Sequence, residues 1–79
     1  MKNNHLNCVA EEAIERDYFR KGYMGTESAT VSFKITENDL DVILNDSEFV
    51  LEAYGKKIEW ELDSANMKVY FSYSEENSN

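Results

Sequence analysis

Proline is absent from this 79-residue chain, cysteine and histidine occur once each, and glycine occurs three times. Each shortage excludes something. A lone cysteine, Cys8, cannot close an internal disulfide, so the expected compartment is a reducing one, the cytoplasm. His5 and Cys8 stand in an H-x-x-C spacing, but a zinc site takes three or four ligands and no second His or Cys exists. The expectation is a frayed histidine and a small half-buried thiol, with no metal and no cofactor. No glycine-rich phosphate loop occurs, and a Ser/His/Asp nucleophile set cannot be built around one histidine near a chain end. Nothing approaches the roughly 18 consecutive apolar residues that a membrane-spanning helix needs. Met1 to His5 leads into no apolar stretch, so no secretion signal is expected, and Asn45-Asp46-Ser47 reads as a chance match to the glycosylation sequon. Basic charge is scarce as well. Eight Lys and Arg face sixteen Asp and Glu, a net charge of −8. Such a surface repels nucleic acid and anionic lipid, and a basic protein surface is what would complement it.

Core material is present. Apolar residues make up 42% of the chain, with four Phe, five Tyr and one Trp. That is too much for a disordered acidic segment and enough for one small domain over 1–79. A domain of this size hides roughly 60% of the surface its unfolded chain exposes, so the core is modest. Residues 1–5 and 74–79 are polar and are expected to fray.

From Asn4 to Lys21, Leu6, Val9, Ala10, Ala13, Ile14 and Tyr18 recur at three- and four-residue steps, the stripe of an amphipathic helix. Glu12 and Arg16 can pair across one turn, and Gly22 is a natural stop. Ala29 to Ile35 alternates, with Val31, Phe33 and Ile35 on one side, as in a half-buried strand. Thr36 caps a second, short helix whose apolar side is Leu40, Ile43 and Leu44. Three strands complete the chain. Phe49, Leu51 and Ala53 lead to a Gly55-Lys56 turn; Ile58, Trp60 and Leu62 lead to a turn at Ser64-Ala65; Met67, Val69, Phe71 and Tyr73 follow. With those turns Leu51 faces Trp60, Trp60 faces Val69, and every apolar residue falls on one side. Trp60 is then on the inward side of the middle strand of the meander. The predicted fold is a two-layer α+β domain, ordered α-β-α-β-β-β, with an antiparallel sheet of about four strands and two helices on one face.

The same register fixes the outward side: Glu48, Glu52, Glu59, Glu61, Tyr54 and Tyr70, with Lys57 and Lys68. Glu52 is expected opposite Glu59, and Lys68 opposite Glu61. Like charges in opposition destabilise a sheet, and a local rule broken without structural gain points to function. The short helix adds Asp39 and Asp41 nearby in sequence. Between Thr36 and Asp63 there are nine acids and two lysines. Carboxylates steer a basic partner and accept arginine, and tyrosines supply contact area with a polar tip. Glu52, Glu59, Glu61, Glu48, Asp39, Asp41, Tyr54 and Tyr70 are therefore the candidate partner-binding residues. Phe19, Tyr23 and Met24, off the main stripe at the end of the first helix, are candidates for a dimer or apolar contact.

Other chemistry is weaker. Asp39, Asp41 and Asp46 lack the spacing and loop glycine of a calcium loop, and acids at a helix start favour its dipole in any case. Glu59 and Glu61 could suggest acid–base work, but a flat exposed face does not shift carboxylate pKa values. No enzyme activity is expected. In size, charge and lack of catalytic motifs the chain resembles small acidic inhibitors of phages and mobile elements, such as anti-CRISPR and anti-restriction proteins, and acidic immunity proteins that neutralise nuclease toxins. No residue motif carries that likeness. It implies an inhibitor that occupies a basic surface on a nucleic-acid-handling protein, in its strongest form as a DNA mimic. The alternatives are an antitoxin or immunity protein for one nuclease, and a structural or oligomerisation module. Monomer and homodimer are both open.

Overall fold

The helical stripe forms as its spacing dictates. The computed structural model describes residues 5–23, 25 and 27–75, and α1 runs over His5–Ile14. Leu6, Ala10, Ala13 and Ile14 are buried on it. The helix continues into a π-turn over Glu15–Phe19, widened to five-residue steps: the Arg20 N–H donates to Glu15 O at 2.9 Å. Tyr18 is carried into the core by this turn. Gly22, at φ +88°, lies in the reversal that follows.

The strands are β1 (Ala29–Lys34), β2 (Leu51–Ala53), β3 (Lys56–Ile58), β4 (Trp60–Asp63) and β5 (Lys68–Tyr73), and α2 spans Glu37–Asn45. The fold is α+β. Its strands form an antiparallel sheet ordered β1-β5-β4 and a separate β2-β3 hairpin. The run 56–63 changes partner at Glu59, which belongs to neither ladder. Pairing of β1 with β5 makes β5 the central strand and leaves Trp60, half-buried, on an edge strand. Inward residues Val31, Phe33, Val69, Phe71, Tyr73, Leu51, Ala53 and Ile58 share one core with the α1 stripe and with Ile43 of α2. Leu44, expected on that inner side, is 64% exposed. An α2 of nine residues directs a stripe only about two residues wide at the core, here Ile43 and, in part, Leu40.

Both hairpin registers differ from the expected ones by two residues. Leu51 pairs with Ile58 and Glu52 with Lys57; Trp60 pairs with Phe71, Glu61 with Tyr70 and Asp63 with Lys68. The first turn is Tyr54-Gly55, not Gly55-Lys56, and both residues have positive φ, +53° and +77°, as a type I′ turn requires. The second turn takes four residues, Ser64 to Met67, with Met67 at φ +56°. Asp63 closes it, accepting from Asn66 N–H at 3.2 Å and from Asn66 Nδ2 at 2.9 Å, and these bonds hold its carboxyl below the usual range. A shift of two keeps every side chain on its face, so the faces were right while the pairs were not.

The Glu52–Glu59 conflict therefore does not exist. Glu52→Lys, favourable in the expected register, would instead put two lysines opposite each other. It should lower stability by about 0.2–1 kcal/mol. A urea midpoint identical to that of wild type would contradict the observed ladder.

Helix side chains close two strand edges. The Glu52 N–H donates to Asn7 Oδ1 at 2.9 Å and the Tyr54 N–H to Glu11 Oε2 at 3.0 Å. Residues four apart on a helix rise about 6 Å, and alternate strand residues are about 6.6 Å apart, so the two spacings match. On β1, Arg16 Nη2 donates to Ser32 O at 2.7 Å. Arg16 also holds Asp17 with two bonds of 2.8 and 2.9 Å, rather than the expected Glu12. Those bonds, before any other cause, hold the Asp17 carboxyl below its ordinary range. A depressed native pKa contributes stability above the unfolded value, which is lost as pH falls through the native one. Asp17→Asn should therefore flatten part of the loss of stability below about pH 4. Urea midpoints from pH 2 to 6 would show it, and parallel curves would refute it.

Of 1–5 and 74–79, the segments expected to fray, the described residues are His5, Ser74 and Glu75. His5 lies within α1, and Ser74 is buried with its hydroxyl donating to Gly25 O at 3.3 Å. Residues 1–4 and 76–79 lie outside the described residues.

Candidate functional site

The outward face of the three-stranded sheet follows from its register. Rows across it read Ser32–Tyr70–Glu61 and Lys34–Lys68–Asp63, with Thr30 and Ser72 in the row before. Charge is therefore graded along the face. Glu61 occupies the half toward Glu59, whereas Lys34 and Lys68 gather beside Asp63. Lys68 thus answers Asp63 and not Glu61. Glu59, Glu61 and Tyr70 are brought together around a shallow depression of about 390 Å³, lined also by Thr30, Trp60 and Ser72.

The remaining candidates disperse. Glu52 is exposed on the β2-β3 hairpin opposite Lys57. Glu48 is exposed in the turn after α2, its N–H donating to Asp46 Oδ1 at 3.0 Å. Asp41 is exposed on α2. Asp39 is buried and serves as a cap. Its N–H donates to Thr36 Oγ1 and its carboxylate accepts from the Thr36 N–H, both at 3.1 Å, and His5 Nε2 lies 3.4 Å from its other oxygen. This reciprocal pair satisfies helix-end donors and removes Asp39 from any exposed site. Glu48, Glu52, Glu59, Glu61 and Asp41 take part in no ion pair among the described residues.

Tyr54 is not with Tyr70. It sits at the β2-β3 turn against the π-turn, its hydroxyl donating to Glu11 O at 3.3 Å. Its ring meets Phe19 edge-on at 6.0 Å between centroids and Tyr73 at 6.3 Å. Tyr18 completes the group, touching Phe19 and Tyr73 at 5.1 Å each and stacking on Tyr23 at 5.7 Å. Burial, then Glu15 and Glu11, raise the Tyr54 phenol above its ordinary pKa. Phe19 and Tyr23 are thus exposed rings on a buried one, and Met24 lies outside the described residues. Periodicity assigned Tyr18 and Tyr73 to two separate apolar patterns and could not join them. The one available clue was a tyrosine directly before Gly55, where a type I′ turn usually has Asn or Asp.

Cys8 is exposed, not half-buried, and no group of three His, Cys, Asp or Glu among the described residues could hold a metal ion. No helix among them is long and apolar enough to cross a membrane. No protein-family model matches the chain, and no curated protein and no solved structure matches it.

Proposed function

We propose that the chain is a non-catalytic protein-binding domain that inhibits by occupying a basic surface on a nucleic-acid-handling protein. The observation that carries this reading is the pair Glu59 and Glu61, exposed beside Tyr70 and without an ion-pair partner among the described residues. Carboxylates left unpaired around an aromatic ring can accept arginine or lysine from outside with little rearrangement. The face supports a local anchor better than extended DNA mimicry. Duplex DNA carries one charge per roughly 1.7 Å of axis, whereas this face offers two glutamates and turns basic at Lys34 and Lys68. A nuclease toxin and an effector complex both present suitable basic grooves, and the gene neighbourhood separates them.

The test is affinity capture from a host lysate with wild type and Glu59→Lys/Glu61→Lys, at low and moderate salt. A stoichiometric nucleic-acid-handling partner that is lost in the variant and weakened by salt supports the reading. Equal capture by both forms overturns this face as the contact.

A further inference from the structure

The aromatic end lies apart from the Glu59–Glu61 face and has features of its own. Phe19, Tyr23 and Tyr54 are 39%, 36% and 42% exposed, yet each rests on a buried tyrosine, Tyr18 or Tyr73. Large rings that are rigidly supported and still exposed are the composition of interface anchors. Tyr54 holds its place at a left-handed φ of +53°, where asparagine or glycine costs less. Glu11 borders Tyr54: one of its carboxylate oxygens accepts the Tyr54 N–H and its backbone carbonyl accepts the Tyr54 hydroxyl. The cluster also takes up a cation within the molecule: Lys56 Nζ sits 4.9 Å from the Tyr73 ring centroid. Among the described residues no lysine or arginine lies over the Phe19 or Tyr54 ring.

The geometry points to an arginine side chain of the partner as the occupant of this end, its guanidinium against the Phe19 and Tyr54 rings and its N–H groups directed to the Glu11 carboxylate. A planar guanidinium fits better than an ammonium, because it stacks on a ring and bonds a carboxylate at the same time. A second copy of this chain fits worse. Each copy carries a net charge of −8, so two copies repel one another. The inference rests on the reading of a basic protein partner and adds a second contact to it.

The test is titration of the full chain with a five-residue Gly/Ser peptide carrying one central arginine, followed by NMR shift changes, with the lysine peptide as comparison. Shifts are expected at Phe19, Tyr54 and Glu11, with the arginine peptide bound at least about threefold more tightly than the lysine one. Tyr54→Asn keeps a residue suited to the turn but removes the ring, and Glu11→Gln keeps an oxygen for the Tyr54 N–H but removes the charge. Each should weaken the shifts at the aromatic end several-fold. Shifts confined to Glu59, Glu61 and Tyr70 would overturn this inference while leaving the proposed function intact. Loss of shifts at both surfaces would count against both. Sedimentation showing a dimer that Phe19→Ser dissolves would assign the aromatic end to self-association and overturn the inference.

Discussion

Tyr18→Ala is expected to remove about a quarter or more of the folding stability of the domain. Tyr18 is fully buried at the junction of the π-turn, the following loop and the end of β5. Its ring supports Phe19, Tyr23 and Tyr73. Its hydroxyl donates to Glu27 O at 3.3 Å and accepts from the Glu75 N–H at 3.2 Å, joining two chain segments. Truncating a buried aromatic to alanine costs about 3–5 kcal/mol. A domain of this length has only about 4–12 kcal/mol in total, at roughly 0.05–0.15 per residue. Tyr18→Phe separates the two contributions. It keeps the ring and should lose about 1 kcal/mol through the hydroxyl. Urea unfolding followed by far-UV circular dichroism measures both, and equal midpoints for Tyr18→Ala and wild type would show that the aromatic end does not hold the fold.

Glu59→Lys/Glu61→Lys is expected to lower affinity for a basic partner about a hundredfold, at roughly tenfold per close charge pair. Repulsion replaces attraction, so association should slow and the variant should lose the salt dependence of wild type. Stability should stay within about 0.5 kcal/mol, since both side chains are exposed and take part in no ion pair among the described residues. Glu52 is a poorer choice for this test. Its reversal would act on the fold through Lys57 and confuse the two effects. Titration calorimetry at two salt concentrations, against a captured partner, gives the number.

What the sequence could and could not convey follows from the periods involved. The α1 stripe was legible because Leu6, Ala10, Ala13, Ile14 and Tyr18 all face the sheet. The inward faces of the strands were legible because alternation has a period of two. That same period cannot tell one register from another two residues away, and the choice fell to the turns. Those turns depend on Tyr54 and Met67 in left-handed conformations, which neither residue type announces. The helical cap was visible at Thr36, but the reciprocal role of Asp39 made an acid that looked exposed into a buried one. Of the acids proposed for one surface, only Glu59 and Glu61 meet there with Tyr70, because pairing with β1 fixes that face and the sequence left the place of β1 open. The aromatic end was illegible for a similar reason: it joins residues from 18 to 73, and no local pattern links them.

The way α1 and the turn after it lie across the strands has a consequence for how the chain behaves in a crowd. Asn7, Glu11 and Arg16 occupy backbone groups that another strand would otherwise take. The helical segment is thus a tethered competitor for polymerisation, present at a local concentration no free chain can match. When it lifts, β2 and β1 become available together. A strand edge covered in this way can pair with another chain only after the helix has moved.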